Sequence, residues 1–80
     1  MSITRQQAAL VQNSINNMMW VYSDAFCGID LDDDYISFIF GSTMHEYELD
    51  NFESCKQCLC FIHNTLWDLS AIEDLRRFTP

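Results

Sequence analysis

The chain has 80 residues, 49% of them hydrophobic, and a formal net charge of −8. This length allows one domain, residues 1–80, and the hydrophobic content is too high for a disordered chain. An acidic chain repels nucleic acids and membranes, and no apolar run approaches the roughly 20 residues of a membrane helix, so we expect neither as a direct partner. The N-terminal segment lacks the pattern of a secretory signal, which favours a cytoplasmic location and reduced cysteines.

A long first helix is predicted at about residues 5–26. Thr4 followed by Gln7 has the form of a capping box at its start. Gly28 stands where a left-handed cap belongs at its end. Between them, apolar residues recur at spacings of three and four, as an amphipathic helix requires: Ala8, Val11, Ile15, Met18, Tyr22 and Ala25.

From Tyr35 to Leu49 the apolar period changes to two, which predicts a β-hairpin with Gly41 and Ser42 as its turn. The turn sets three pairs: Phe40 with Thr43, Phe38 with His45, and Ile36 with Tyr47. One face is then the core face, with Ile36, Phe38, Phe40, Tyr47 and Leu49 beside Thr43 and His45. The opposite face is acidic and partly aromatic, with Tyr35, Ser37, Ile39, Met44, Glu46 and Glu48. Both edges of the hairpin stay open unless a loop, a second copy or a partner covers them.

A second long helix follows the hairpin. Asp50 and Glu53 outline its N-terminal cap. Its apolar stripe has the spacing of a helix and consists of Phe52, Cys55, Leu59, Ile62, Leu66 and Leu69. Ser70 with Glu73 has the form of a new capping box, which predicts a bend and a short last helix at about residues 71–78. The predicted fold is therefore α+β, with helix, hairpin, helix and short helix in two layers.

One acidic segment has part of the pattern of a calcium loop. Asp30, Asp32 and Asp34 alternate like the first ligands of such a loop. Tyr35 stands where the loop needs its glycine, however, and Gly41 stands where it needs the closing glutamate. The segment is more typical of a solvated acidic loop that leads into a strand.

A candidate zinc site is the second metal site to consider. Cysteine and histidine are zinc ligands, and four of them are close together in the sequence: Cys55, Cys58, Cys60 and His63. A helix turns about 100° per residue, so one helix cannot point all four side chains at the same ion. We interpret these cysteines as small core residues and expect no bound metal or other cofactor.

No established catalytic motif is present. A cysteine that lies beside His45 or His63 in the fold could form a catalytic cysteine–histidine pair, but the presence of these residue types alone is not specific evidence for one. The sequence has no glycine-rich phosphate loop, no serine-nucleophile elbow and no zinc-protease helix. We therefore expect no enzymatic activity.

The middle of the chain is acidic and has no Lys or Arg between Gln6 and Cys55. A field of this sign steers basic proteins toward it. The residues expected to bind such a partner are Asp30, Asp32, Asp33, Asp34, Tyr35, Glu46, Glu48, Asp50 and Glu53. The alternative is that the carboxylates only keep a small apolar protein in solution.

The short length, the acidic segments IDLDDDY and HEYELDNFE, the compact α+β plan and the lack of a catalytic motif resemble those of small phage-borne inhibitors, particularly anti-CRISPR proteins and other DNA mimics. The resemblance implies stoichiometric binding to a CRISPR effector or a related nucleic-acid enzyme in the host cytoplasm. Such binding would block access of the target DNA or activation of the enzyme.

A second class of function is a structural or regulatory interaction module that forms a dimer. It would use the hairpin edge or the aromatic surfaces of the helices. The aromatic and sulfur-containing side chains exceed what one stripe per helix can bury, so each is either packed by the other elements, which is the more common outcome, or available to a partner: Met18, Met19, Trp20, Tyr22, Phe61 and Trp67. Salt separates the two classes, because only binding through charges weakens steeply as salt rises.

Overall fold

The computed structural model describes residues 2–78. Within that range the chain forms two α-helices and a three-stranded antiparallel sheet of strand order β1-β2-β3. The elements are α1 (Arg5–Asn16), β1 (Phe26–Leu31), β2 (Tyr35–Phe40), β3 (Thr43–Glu48) and α2 (Cys55–Phe78). The predicted α+β class is confirmed, but the sheet contains a strand that the sequence pattern did not predict.

The start of α1 is the predicted capping box. The N–H of Gln7 donates to Thr4 Oγ1 at 3.1 Å, and the N–H of Thr4 donates to Gln7 Oε1 at 2.9 Å. The predicted end near residue 26 is wrong, because α1 ends at Asn16. Asn side chains bond readily to groups outside a helix, and the amide of Asn16 binds β1. Tyr22, from the predicted second half of the helix, is nevertheless buried in the core.

The predicted end of the first helix, at about residue 26, and its predicted cap, Gly28, lie in β1 instead. Between the pairs Phe26–Phe40 and Ile29–Phe38, β1 has one residue more than β2, so the strand bulges. Gly28 lies in this bulge at a φ of 105°, a left-handed conformation that favours glycine. The bulge puts the core residues Phe26 and Ile29 three positions apart, so this part of β1 does not show the period of two that identifies a strand. Gly28 was therefore correctly interpreted as a left-handed residue but assigned to the wrong element.

The hairpin of β2 and β3 has the predicted turn and register. Its six residue pairs run without interruption from Phe40 opposite Thr43 to the far ends of the strands. Gly41 has a φ of 65°, and its N–H donates to the carbonyl of Ala25 at 2.8 Å. This bond ties the hairpin turn to the residue before β1.

The cap of α2 lies four residues beyond the predicted one. Asp50 lies inside a one-turn 3-10 helix, Leu49–Asn51, and does not cap α2. Ser54 does, since its Oγ accepts the N–H of Gln57 at 3.0 Å. The helix begins at the next residue, Cys55.

The predicted bend at Ser70 is wrong, because α2 continues to Phe78. The hydroxyl oxygen of Ser70 accepts the N–H of Ser23 at 2.9 Å, in a partly buried bond. This residue joins a distant loop to α2 and does not start a new helix with Glu73. Neither α2 nor any other helix within residues 2–78 is both long and apolar enough to span a bilayer.

The helices cover one face of the sheet, so the fold has two layers. α1 packs on β1 and on α2, and the ring of Phe61 on α2 meets Tyr47 of β3 edge-on at 4.9 Å. The core lies between the layers and includes Ala8, Val11, Ile15, Ile29, Ile36, Phe38, Cys58, Ile62 and Leu66. We call the covered face the inner face and the opposite one the outer face.

Candidate protein-binding site

The register of the sheet gathers carboxylates on the outer face. Asp30 of β1 lies opposite Ser37 of β2, and Ser37 lies opposite Glu46 of β3. In the next row, Tyr35 lies opposite Glu48. Neighbouring strands are about 4.8 Å apart, so the backbones of Asp30 and Glu46 are about 10 Å apart. We call Asp30, Tyr35, Ser37, Glu46 and Glu48 the acidic face.

A second group of carboxylates lies in the turn between β1 and β2, at Asp32, Asp33 and Asp34. The N–H of Asp32 donates to the carbonyl of Tyr35 at 2.8 Å. The N–H of Leu49 donates to the carbonyl of Asp34 at 2.9 Å. The second bond ties the turn to the end of β3, so the turn lies beside the Glu48 end of the acidic face.

These carboxylates have almost no cationic partners. The ion pair found within residues 2–78 joins Arg5 Nε to Asp33 Oδ1 at 3.4 Å, and both side chains are exposed, so it contributes little to stability. Asp50 follows β3 and is exposed, Glu53 precedes α2, and neither residue belongs to either group. The two groups together contain every predicted partner-binding residue except Asp50 and Glu53.

The β1 edge of the sheet is closed by side chains of α1. The N–H of Ile29 donates to Asn16 Oδ1 at 2.7 Å, and Asn16 Nδ2 donates to the carbonyl of Ile29 at 3.3 Å. Gln12 Nε2 donates to the same carbonyl at 3.0 Å. These bonds replace those that a neighbouring strand would make. The β2 edge of the hairpin is not open, because β2 pairs with β1, a strand that the sequence pattern did not predict.

The β3 edge is open, as predicted. Residues that flank a two-residue turn exchange both of their backbone bonds, which here applies to Phe40 and Thr43. Alternation then directs the N–H and C=O groups of Met44 and Glu46 away from β2. Within residues 2–78 these groups have no hydrogen-bond partner.

The outer face changes from acidic to apolar along the strands. Ile39 and Met44 lie opposite each other next to the hairpin turn, and their side chains are 39% and 60% exposed. The acidic rows begin one row further from the turn. A partner on this face would therefore meet apolar contacts at one end and carboxylates at the other.

The predicted excess of exposed aromatic residues is partly present. Trp20 is 84% exposed in a 3-10 turn after α1, and Trp67 is exposed on α2. Tyr22, by contrast, is buried, and its hydroxyl lies 2.6 Å from His63 Nδ1. Burial raises the pKa of Tyr22 above its ordinary value, so this hydroxyl is protonated at neutral pH and acts as a packed, hydrogen-bonded group.

The cysteines are free thiols in differing surroundings. Cys58 is fully buried, and burial, with a smaller contribution from Cys55, raises the pKa of its thiol to about 11. A protonated thiol is a poor nucleophile and a poor metal ligand. Cys60 is exposed on α2. Within residues 2–78, no three His, Cys, Asp or Glu side chains are arranged to hold a metal ion.

A cleft of about 440 Å³ separates the hairpin turn from the second half of α2. Its lining includes His45, Glu73 and Arg76. The ring of His45 stacks on Phe38 at a centroid distance of 4.9 Å, which holds it as part of the sheet packing. No cysteine lines the cleft, so the cysteine and histidine pair considered from the sequence is not assembled there.

Comparison with known proteins found no matching family, no matching curated protein and no matching solved structure.

Proposed function

We propose that this protein is a small stoichiometric inhibitor that binds the basic surface of a nucleic-acid-binding protein. The observation that carries the proposal is the row formed by Asp30, Ser37 and Glu46, which places carboxylates from the two outer strands on one exposed face. Carboxylates of this face have no ion-pair partner within residues 2–78. Unpaired surface charge of one sign is available to a partner of the opposite sign.

Electrostatics favours a nucleic-acid-binding partner over other basic proteins. A channel for DNA or RNA is lined with Lys and Arg that need anions, and carboxylates can substitute for phosphates. The narrower form of the proposal is a CRISPR effector as the target and the host cytoplasm as the location. In this form the protein blocks DNA access or activation and has no catalytic role.

A competition experiment tests the proposal. A pull-down from bacterial lysate with mass spectrometry identifies the partner, and fluorescence anisotropy then measures how the protein displaces labelled DNA from it. We expect displacement near one equivalent by the wild type. The triple variant Asp30→Asn, Glu46→Gln and Glu48→Gln should bind about tenfold more weakly or worse, because it loses three interfacial charges.

A matched control changes the net charge by the same amount elsewhere. Replacing Asp24, Asp68 and Asp74 with Asn removes three exposed carboxylates outside the acidic face and also raises the formal charge from −8 to −5. We expect less than about a threefold loss of affinity from this variant. Equal losses from both triple variants would refute a specific acidic face, and a binding affinity insensitive to salt would refute the charge mechanism.

Self-association is the second candidate function, and exposed apolar residues on α2 favour it. Trp67, Ala71 and Leu75 are spaced four residues apart on one face of the helix, and all three are exposed. A second copy of the same helix, packed antiparallel, would cover this stripe. Light scattering at rising concentration tests this function, and a Leu75→Glu variant should remain monomeric where the wild type dimerises.

A further inference from the structure

The two edges of the sheet differ in whether the backbone groups that point away from the sheet are hydrogen-bonded. At β1, the side chains of Gln12 and Asn16 satisfy the outward backbone groups of Ile29. At β3, the outward groups of Met44 and Glu46 have no partner within residues 2–78. An unpaired edge of this kind is a template on which another strand can form.

β3 also lacks several of the usual features that prevent strand addition, although it does carry charged side chains, which are one of them. It contains no Pro, no Gly and no Lys, and it pairs with β2 over all six residues without a bulge. A regular strand of six residues is about 20 Å long, which matches one extended peptide segment. The charged side chains of this edge are the carboxylates of Glu46 and Glu48, which lie on the outer face.

Those carboxylates disfavour a second copy of β3 as the occupant. A second copy of β3 can pair antiparallel with the first in two registers that use nearly the whole strand. One register places Glu46 directly opposite Glu46 of the other copy, and the other register places these two residues diagonally. Like charges in these positions destabilise strand pairing. A strand with Lys or Arg at alternate positions meets the same carboxylates favourably.

We propose that the β3 edge takes up an extended basic segment of the partner protein as a fourth strand. The segment bonds to the backbone groups of Met44 and Glu46. Its Lys or Arg side chains lie beside Glu46 and Glu48 on the outer face. The inference rests on the proposed function, since it specifies how a basic partner engages the acidic face.

The test uses two synthetic peptides with the same charge. The first is a nine-residue peptide of alternating Lys and Val, and the second carries N-methyl groups on alternate backbone amides, so that it cannot donate to a strand edge. Fluorescence anisotropy gives the Kd of each for the wild-type protein. We expect the methylated peptide to bind at least about tenfold more weakly, because strand addition depends on main-chain bonds.

A protein variant tests the same bonds from the other side. Met44→Pro removes an N–H that points away from β2, so the hairpin keeps its ladder while the edge loses a donor. Met44→Ala is the matched control, because it removes the side chain and keeps the N–H. We expect Met44→Pro to weaken binding of the unmethylated peptide by about tenfold and Met44→Ala to change it by about twofold or less. Circular dichroism verifies that both variants fold.

Amide hydrogen exchange locates the bound strand. In the wild type, the unmethylated peptide should slow exchange at the N–H groups of Met44 and Glu46. If both peptides bind equally well and these amides stay unprotected, strand addition is refuted. The charge-based function then still stands, provided that the acidic-face triple variant weakens binding.

Two further outcomes overturn the inference in distinguishable ways. If neither peptide binds at low salt while the identified partner protein does, the edge does not accept basic strands. If the Met44 and Glu46 amides become protected without peptide as protein concentration rises, a second copy occupies the edge. The proposed function fails separately, when the triple variant and its matched control bind the partner protein equally.

Discussion

The sheet has a covered side, made of its inner face and the β1 edge, and an open side, made of its outer face and the β3 edge. On the covered side, Phe38 is 1% exposed, and the backbone of Ile29 is bonded to α1. On the open side, the backbone of Met44 and the carboxylates of Glu46 and Glu48 have no partner within residues 2–78. The comparison separates the residues that hold the fold from those that remain available for binding.

The largest expected difference in stability is between substitutions at two neighbouring residues of β2 whose side chains lie on opposite faces of the sheet. Phe38→Ala should lower the free energy of unfolding by about 3–5 kcal/mol, because it leaves a cavity in the core. Ile39→Ala should lower it by about 1 kcal/mol or less, because that side chain is partly exposed on the open side. Urea denaturation measures both. Equal losses would mean that the outer face is itself buried in solution.

Substitution of a residue that closes the β1 edge should give the next largest loss of stability. Asn16→Ala should cost about 1–3 kcal/mol, because it leaves the buried N–H of Ile29 without a partner. Asn13→Ala, on the exposed side of α1, should cost nothing or slightly stabilise the helix. Hydrogen exchange at the Ile29 amide should become faster in the first variant alone. If the two variants lose equal stability, the amide of Asn16 does not close the edge.

A smaller effect concerns pH and the buried thiol on the covered side. The pKa of Cys58 is raised from 9.0 to about 11, mainly by burial. The thiolate therefore favours the unfolded chain, so this contribution to stability is complete below pH 9.0 and is lost as pH rises toward about 11. Urea midpoints measured between about pH 8 and pH 10 should fall in the wild type and fall less in Cys58→Val. Cys60→Ser, at an exposed thiol, should retain the wild-type slope.

The smallest effect is expected on the open side. The acidic-face triple variant should unfold within about 0.5 kcal/mol of the wild type, because its exposed carboxylates make no ion pairs to lose. Thermal and urea denaturation check this value. A loss above about 1 kcal/mol would place these carboxylates among the groups that hold the fold together, and would end the distinction between the two sides.

Part of the candidate site was predictable from sequence. Alternation along the hairpin placed Tyr35, Glu46 and Glu48 on one face, because side chains in a strand alternate between faces. Asp30 belongs to this face because β1 pairs with β2. The sequence pattern did not predict β1, since the bulge interrupts the period of two between Phe26 and Ile29. The alternation of Ile29, Asp30 and Leu31 was the available signal for a strand.

By itself, the sequence determined the features that depend on near neighbours. The capping box of Thr4 and Gln7 and the hairpin register around Gly41 involve residues a few positions apart, where local bonds and alternation are sufficient. Tertiary structure decided the features that need distant partners. The hydroxyl of Ser70, inside α2, accepts a bond from Ser23, and Asn16 closes one edge of the sheet while the other edge stays open. Whether an edge or a hydroxyl has a partner depends on chain segments that sequence spacing does not bring together.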